Sequence, residues 1–288
     1  MLSIPKRGRT LVYRLLALDI DGTLLNSNDR LDRQTKEAVA FARKKGIMVT
    51  LVSERHFHSA AKVARALKLT QPIITHNGAF VSSSLDNPVY TSKIDHSVLI
   101  QLVEFLETYP CQIQISHERL SVSNRPRQKN LIAKMTIGMN EPLFYPVTYV
   151  DTLSQYLLEN YEGATDVKIK LNDEKTMDTI EKSMHDYFPS LAATRVSPQD
   201  ITLVRQGTSK FNGLLFFAGQ MGIPLHEIVA VGDGSEDAEM IEKVGLGVAM
   251  RNAVPEVKEK ADWITRSNNM DGVAYVVREV FRKQLRVH

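Results

Sequence analysis

Short apolar runs near the start of the chain alternate with segments of helical periodicity. Apolar runs occur at 11–18, 47–52 and 72–75, and amphipathic stretches separate them at 33–45 and 57–68. Runs of this length that carry little polar alternation are typical of parallel strands buried on both faces. The alternation therefore predicts consecutive βαβ units and a parallel sheet covered by helices.

The same alternation returns in the last third of the chain. Apolar runs at 228–231 and 246–249 have the length and composition of buried strands. The helices predicted for this part lie near 211–221, 236–243, 255–261 and 271–283.

The middle of the chain follows a different pattern, with shorter and more polar strand candidates from about residue 84. It indicates a second sheet with its own helices, inserted into the first domain. We predict an α/β protein with a discontinuous, Rossmann-like parallel-sheet core (10–83 and 206–288) and an inserted α/β cap domain (84–205). The predicted cap strands are 112–115, 167–171 and 201–204, and the predicted cap helices are 95–108, 151–161 and 174–187.

Two carboxylates follow the first apolar run directly. Asp19 and Asp21 come after Leu18, and a turn at Gly22 would let both side chains face one point. Open α/β sheets bind ligands at the carboxyl ends of their strands. A carboxylate there can act as a nucleophile and form an aspartyl-phosphate. The alternative interpretation is a simple turn that closes the strand.

Polar groups also follow two other strands and begin one helix. After the second strand, the Ser53 hydroxyl and nearby N–H groups suit a phosphate oxygen, although Ser53 is also a candidate helix N-cap. Lys210 opens a helical stretch, where its charge opposes the helix dipole, which favours a functional role. Asp233 and Asp237 lie in a glycine-containing acidic loop after strand 228–231.

With these four segments in this order, the chain resembles the haloacid dehalogenase superfamily, and within it the Cof-type phosphatases. Those enzymes carry a large α/β cap between their second and third motifs. The resemblance implies that Asp19 is the nucleophile and Asp21 the acid/base. Auxiliary segments at 77–79 and 248–253 are also similar. The other three motifs match Ser53, Lys210, Asp233 and Asp237.

The resemblance also implies a set of binding residues. The metal ligands would be Asp19 through its carboxylate, Asp21 through its backbone carbonyl, and Asp233, with Asp237 in an outer position. The residues implied to bind the substrate phosphate are Ile20, Ser53, Glu54, Arg55, Lys210, Glu236 and Asn252.

Four positions depart from the usual family pattern. The chain has Ser53-Glu54 where Thr-Gly is usual, and Arg251 where a small residue is usual. Glu236 replaces an asparagine that lies near the transferred phosphate in relatives. A carboxylate at this position would repel the substrate, recruit metal, or face solvent as a helix cap.

Charge predicts a cation in the site. Two carboxylates about 4 Å apart repel by roughly 4 kcal/mol at an effective dielectric of about 20. A pocket with four carboxylates therefore requires cations to bind a phosphate dianion. Oxygen ligands select a hard ion, which predicts Mg²⁺, and Lys210 would provide a second positive charge.

Composition limits the other classes of function. The chain has 288 residues, 43% hydrophobic content and a net charge of +3, without the basic stripe that nucleic-acid binding needs. No apolar run reaches the length of a membrane span. The single Cys111 excludes an internal disulfide and is typical of a cytoplasmic protein. We expect a monomer or small homo-oligomer.

The sequence thus predicts a Mg²⁺-dependent phosphatase of small phosphate monoesters, such as sugar phosphates or phosphorylated cofactors. A phosphotransferase or mutase with the same intermediate, and a catalytically impaired regulatory protein that binds a phospholigand, stay open. The cap offers weaker candidates for substrate contact, which as polar residues are more typical of a solvated surface. These are His117, Arg119, Arg125, Arg127, Lys129, Lys168 and Lys170.

Overall fold

The computed structural model describes residues 12–125 and 147–284. Within them the strands, numbered in chain order, are β1 (Leu15–Leu18), β2 (Met48–Leu51), β3 (Ile73–Thr75), β4 (Phe80–Ser82), β5 (Pro88–Thr91), β6 (Gln112–Ser116), β7 (Ser121–Asn124), β8 (Val147–Val150), β9 (Asp166–Lys170), β10 (Leu191–Ser197), β11 (Asp200–Arg205), β12 (Ile228–Gly232), β13 (Leu246–Ala249) and β14 (Trp263–Ile264). The α-helices are α1 (Arg33–Lys44), α2 (Phe57–Ala66), α3 (His96–Glu107), α4 (Leu153–Glu159), α5 (Glu174–Tyr187), α6 (Lys210–Gln220), α7 (Ala238–Lys243), α8 (Pro255–Lys260) and α9 (Gly272–Phe281).

The chain divides into two compact units. The first, here called the core, comprises the described chain up to Arg55, then Ala60–Tyr90 and the chain from Ser209 onward. The second, here called the cap, comprises His56–Ser59 and the described part of Thr91–Thr208. The divisions lie a few residues after those predicted, and the grouping of His56–Ser59 with the cap was not anticipated.

The core contains a five-stranded parallel sheet in the order β14-β13-β12-β1-β2. Strand β1 pairs with Ile228–Val231 on one side and with Met48–Leu51 on the other, and β12 is the middle strand. Every residue of β1 and β12 is buried, as the continuous apolar runs predict. Because parallel strands end at the same edge, the residues after β1, β2 and β12 are brought close together.

Helix α6 packs against one part of this sheet. Phe211, Leu214 and Phe217 recur at helical spacing and share one buried cluster with Leu15 and Ala17 of β1. This packing fixes the direction of the helix, and its first residue is Lys210.

The predicted βαβ series places β3 in the parallel sheet, but in the structure β3 does not extend that sheet. It is joined to the segment after β2 by a single parallel bridge, between Val52 and Ile74. It then pairs antiparallel with β4 in a small sheet of order β3-β4-β5. The physical reason is a run of left-handed residues at His76–Gly78, which reverses the chain after three strand residues.

The cap is built on a six-stranded mixed sheet in the order β10-β11-β9-β6-β7-β8. All its pairs are antiparallel except β7 with β8. Apolar side chains of the three cap helices and alternate residues of the strands form one buried cluster. Helices α3, α4 and α5 contribute, for example, Leu102, Leu157 and Ile180. The predicted fold class, an α/β core with an inserted α/β cap, is confirmed; strands β7, β8 and β10 were not anticipated.

The two ends of the long cap segment are tied to each other. The hydroxyls of Ser92 and Thr208 lie 2.7 Å apart, and both residues are buried. No α-helix in the described parts of the chain is long and apolar enough to cross a membrane.

Candidate active site

Asp19 lies at the carboxyl end of β1, which has a parallel neighbour on each side. Its N–H donates a hydrogen bond to the Val231 carbonyl at 3.0 Å, so the sheet ladder extends one residue past β1 and fixes its backbone. The residue is 3% exposed. The sequence therefore places a carboxylate where both neighbouring strands bury it.

A tight turn after Asp19 brings Asp233 to the same place. Gly22 has a φ of +66°, and a Cβ on it would lie 2.0 Å from Oδ2 of Asp233. Only glycine allows this conformation and this approach. The Thr23 hydroxyl then donates to Oδ1 of Asp233 at 2.9 Å. The turn thus positions both carboxylates.

Lys210 joins two of the carboxylates. Its Nζ donates to Oδ1 of Asp19 and to Oδ1 of Asp237, each at 2.8 Å, and all three side chains are buried. The Ser209 hydroxyl caps α6 by accepting from the N–H of Asn212 at 3.1 Å, which fixes the first turn of the helix. Although burial opposes its charge, Asp19 and Asp237 raise the pKa of Lys210, which is therefore an ammonium ion.

Both carboxylate oxygens of Asp237 accept hydrogen bonds from other residues of the core. While Oδ1 accepts from Lys210, Oδ2 accepts from the N–H groups of Asp233 at 2.9 Å and Gly234 at 3.1 Å. These contacts close the loop after β12. They are consistent with an outer position for Asp237, which accepts three hydrogen bonds, two of them on Oδ2, whereas each oxygen of Asp233 accepts one side-chain hydrogen bond.

The cluster carries more negative charge than Lys210 neutralises. Burial raises the pKa of Asp19 well above its usual range, and the charge of Asp237 adds to this despite Lys210. Burial is also the main cause that raises the pKa of Asp233 to about 6.

A divalent cation would relieve this charge. Oxygens of Asp19, Asp233 and Asp237 lie within 4.8 Å of one another, and they are the hard donors that Mg²⁺ prefers. The donor set and the excess negative charge both fit the Mg²⁺ expected from the sequence.

Asp21 lies beside this cluster in a contact that sequence reasoning missed. Both of its oxygens accept from Arg55, Oδ2 from Nε and Oδ1 from Nη2, each at 2.6 Å. The Arg55 side chain is 5% exposed and that of Asp21 is 24% exposed, so this is a partly buried, two-pronged ion pair. The resemblance implied that Arg55 binds the substrate phosphate; in this structure its guanidinium holds Asp21.

The remaining residues after β2 stand as follows. Ser53 is fully buried, and its hydroxyl accepts from the N–H of Arg55 at 3.1 Å. Because α2 begins only at Phe57, Ser53 closes a turn and does not cap that helix. Glu54 is exposed, while Ile20, in the turn after β1, is buried.

Asn252 supports the acidic loop. Its Nδ2 donates to the carbonyl of Gly22 at 2.8 Å and to Oδ2 of Asp233 at 3.1 Å. Its Oδ1 accepts from the N–H of Asn268 at 3.0 Å. The structure thus places Asn252 on a carboxylate and on the turn that carries Gly22, and its contact with phosphate stays a prediction.

Glu236 is half-buried and turns back over its own loop. A Cβ on Gly234 would lie 2.7 Å from its Oε2. Within residues 12–125 and 147–284 it forms no hydrogen bond or ion pair. No contact in the described chain therefore neutralises its charge.

The cap candidates differ among themselves. Arg127 and Lys129 lie outside the described residues. Arg119 and Arg125 are exposed, as expected for solvated side chains, and Lys168 and Lys170 are half-exposed on the cap sheet. His117 departs from that expectation: it is 3% exposed, and its Nδ1 lies 3.1 Å from the Gly163 carbonyl. The strand that ends at Ser116 carries it into the interior, because the alternation of the cap strands continues for one more residue.

Comparison with known proteins decides the family. Residues 16–277 match the sequence profile of the haloacid dehalogenase-like hydrolases, which is nearly the whole chain. The chain belongs to this family. The family expected from the sequence, and with it the assignment to the hydrolases, is confirmed.

Individual relatives cover the same length. The chain is 42% identical over 277 residues to the stress response protein YhaX of Bacillus subtilis (strain 168), with 95% of each chain covered. It is 30% identical to the 5-amino-6-(5-phospho-D-ribitylamino)uracil phosphatase YitU of the same organism, covering 93% of this chain and 97% of YitU. A haloacid dehalogenase-like hydrolase from Bacteroides thetaiotaomicron shares the fold, with a TM-score of 0.80, 24% identity and coverage of 93% and 100%.

Proposed function

We propose that this haloacid dehalogenase-like hydrolase is a Mg²⁺-dependent phosphatase of small phosphate monoesters that acts through an aspartyl-phosphate on Asp19. The observation that carries the proposal is the buried contact of Lys210 with both Asp19 and Asp237 at 2.8 Å, beside Asp233. A lysine buried between two carboxylates orients the nucleophile and presents positive charge where a phosphate dianion would bind.

The first step is an in-line attack by Asp19. Lys210 holds Oδ1, and among the described residues none donates a hydrogen bond to Oδ2. As a carboxylate oxygen forms its bond to phosphorus, the bond from phosphorus to the ester oxygen breaks. A protonated Asp21 gives its proton to the leaving alkoxide, so an alcohol departs and Asp21 becomes a carboxylate.

The second step reverses the role of Asp21. Its carboxylate takes a proton from water, and the oxygen of that water forms a bond to phosphorus as the acyl-phosphate bond breaks. Orthophosphate leaves, and both Asp19 and the protonated Asp21 are regenerated. Because Arg55 occupies both oxygens of Asp21 in the structure, this pair must open for Asp21 to exchange protons.

Asp19, Asp233 and the backbone carbonyl of Asp21 would hold Mg²⁺. The ion supplies charge that lets the anionic pocket accept a phosphate dianion and that stabilises its equatorial oxygens. Lys210 and the N–H groups after Ile20 and Ser53 would share this task.

The substrate class follows from the relatives and stays broad. YitU is a phosphatase of a phosphorylated ribitylamino-uracil, which is a small phosphate monoester of a cofactor-like molecule. Sugar phosphates and phosphorylated cofactors are therefore the first compounds to test. We expect selection among them to depend on the residues of the cap.

The decisive experiment is a panel of phosphate esters assayed for orthophosphate release, with Mg²⁺ and after chelation. We expect release without any added acceptor, loss of activity on chelation, and its recovery with Mg²⁺. Full activity after exhaustive chelation would contradict the metal requirement. Release that needs an added alcohol would favour a phosphotransferase, and binding without turnover would favour a regulatory protein.

A further inference from the structure

Three consecutive residues of the core adopt left-handed backbone conformations. The φ angles are +51° at His76, +53° at Asn77 and +92° at Gly78. Non-glycine residues rarely adopt this region, and two in a row with a buried side chain on the first are strained. Such strain persists only where surrounding contacts impose it.

The first contact of this run is with the loop after β2. The N–H of His76 donates to the Arg55 carbonyl at 3.0 Å, and the N–H of Asn77 donates to the Ser53 carbonyl at 3.2 Å. The N–H of Ser53 in turn donates to the Ile74 carbonyl at 2.9 Å. These bonds fix the backbone that carries the Ser53 hydroxyl and the Arg55 guanidinium.

The second contact is with the start of α6. A Cβ on Gly78 would lie 1.9 Å from the Ser209 carbonyl oxygen and 3.1 Å from the N of Lys210. From the helix side, a Cβ on Gly213 would lie 3.0 Å from Cα of Gly78. The run and the helix therefore meet backbone to backbone, with no room for a side chain between them.

We propose that the run His76–Gly78 is a positioning element that sets the location of Lys210 relative to Asp19 and to the loop that carries Ser53 and Arg55. The run contacts both the loop after β2 and the first turn of α6. A side chain added to the run must therefore shift the helix relative to the loop. Lys210 is affected most directly because its N lies at the contact. This role rests on the proposed function, which depends on the distance between Lys210 and Asp19.

A purely structural role would have a different consequence. If Gly78 served only the stability of the fold, its replacement would lower activity in proportion to the loss of folded protein. It would also act independently of Lys210, because effects at independent sites multiply. Coupling to Lys210 is therefore the test.

The experiment compares Gly78→Ala with Gly222→Ala. Gly222 follows the other end of α6 and also has a positive φ, +61°, but a Cβ on it would meet nothing within 4 Å. Both variants carry the cost of a left-handed alanine, and only Gly78→Ala forces atoms apart. We expect Gly78→Ala to lower kcat/KM by about 100-fold, the size reported for misplacements near 1 Å, and Gly222→Ala to stay within threefold of the parent, about 0.7 kcal/mol.

The coupling is measured in a Lys210→Ala background with an activated aryl phosphate. There we expect Gly78→Ala to cost less than about threefold more, because the group that it displaces is gone. Multiplicative losses would overturn the proposal. If Gly78→Ala does not fold, Gly213→Ala replaces it, since that change pushes on the same contact with a residue that favours helix.

A calorimetric Mg²⁺ titration gives a readout that does not depend on turnover. Lys210→Ala removes a repelling charge and should bind Mg²⁺ several-fold more tightly. If Gly78→Ala acts through Lys210, it should change the Mg²⁺ affinity of the parent several-fold and leave the affinity of Lys210→Ala unchanged. The proposal would be overturned if Gly78→Ala left the Mg²⁺ affinity of the parent unchanged, or altered the affinity equally in the parent and in the Lys210→Ala background, because the effect would then not pass through Lys210. If no phosphate ester were hydrolysed by the parent protein, the proposed function would fail while this titration still decided the inference.

Discussion

The core and the cap use their sheets in opposite ways. In the core, β1 and β12 are apolar and buried along their whole length, and charged side chains begin only where the strands end. In the cap, the strands alternate: on β6 and β9, Gln114 lies opposite Lys168 on the half-exposed face, while Ile113 and Ile169 face the buried side.

This difference determines how easily the candidate functional residues of each unit can be recognised from the sequence. A sheet covered on both faces has one edge where polar groups can meet, so carboxylates after β1 and β12 stand out. A sheet with an open face presents polar groups along its whole area, and none is distinguished by position. The cap also buries a carboxylate, since Asp166 is 6% exposed and accepts from the Ser116 hydroxyl at 2.8 Å.

The largest expected effect is at Asp19. Asp19→Asn should lower kcat by a factor on the order of 10⁴ or more, because no other group can take over the attack on phosphorus. The melting temperature should stay the same or rise, since the change removes repulsion from Asp237 and Asp233. Asp166→Asn, in the cap, is the comparison for a buried carboxylate outside the site, and it should affect stability more than turnover. Turnover near the parent value in Asp19→Asn would refute the covalent route.

A second comparison sets one arginine of the core against one of the cap. Arg55→Lys should lower kcat/KM by about 10- to 100-fold, because lysine cannot hold both oxygens of Asp21 and so cannot orient this carboxyl group before the pair opens. Arg195 also bonds two carboxylates, Asp178 at 2.6 Å and Glu181 at 3.0 Å, so Arg195→Lys is the matched control. Steady-state kinetics should show little change in the control. Equal losses in both variants would mean that the Arg55 contact is only structural.

Glu236 should give a smaller effect of opposite sign. If its carboxylate faces the phosphate, Glu236→Asn should raise kcat/KM several-fold, since each tenfold is about 1.4 kcal/mol of transition-state stabilisation. Weaker activation by Mg²⁺ would instead identify Glu236 as a metal ligand, and no change would mean that it faces solvent. The exposed Glu259→Gln controls for the loss of one negative charge in the core.

The smallest effect concerns the cap and pH. Burial lowers the pKa of His117 below 6.5, despite its contact with the Gly163 carbonyl. The unfolded chain then binds the proton more readily, so stability should fall as pH drops below about 6.5, with a slope of at most about 1.4 kcal/mol per pH unit. Denaturant titrations of His117→Gln between pH 5 and 8 should lack this contribution. The exposed His185→Gln should retain it.

The sequence predicted what depends on local pattern. The strands before Asp19 and Asp233 are continuous apolar runs, and Lys210 begins a clear helix, so their meeting at one edge followed from parallel topology. The structure brings these residues together, and their catalytic roles stay predictions. The contact of Arg55 with Asp21 was missed because a pairing between residues so far apart depends on how two loops turn.

Other features were hidden because they rest on backbone conformation. The Asn77-Gly78 pair is a turn signal, and histidine and asparagine are enriched in the left-handed region. The sequence does not show that three such residues follow one another or that they contact the start of α6. Strand β10 carries exposed alanine and threonine, which gave too weak a pattern to recognise. The sequence of the cap does not indicate a substrate either, because the polar residues of its half-exposed face are spread over several strands.

The hydroxyl pair of Ser92 and Thr208 has a consequence for how such a protein can diversify. Because the long cap segment leaves and returns at two points whose side chains touch, it can be exchanged as a cassette. Evolution could therefore change the segment that recognises the substrate without changing the residues that are proposed to react with its phosphate group. Enzymes that arose in this way would share one reaction and differ in their substrates.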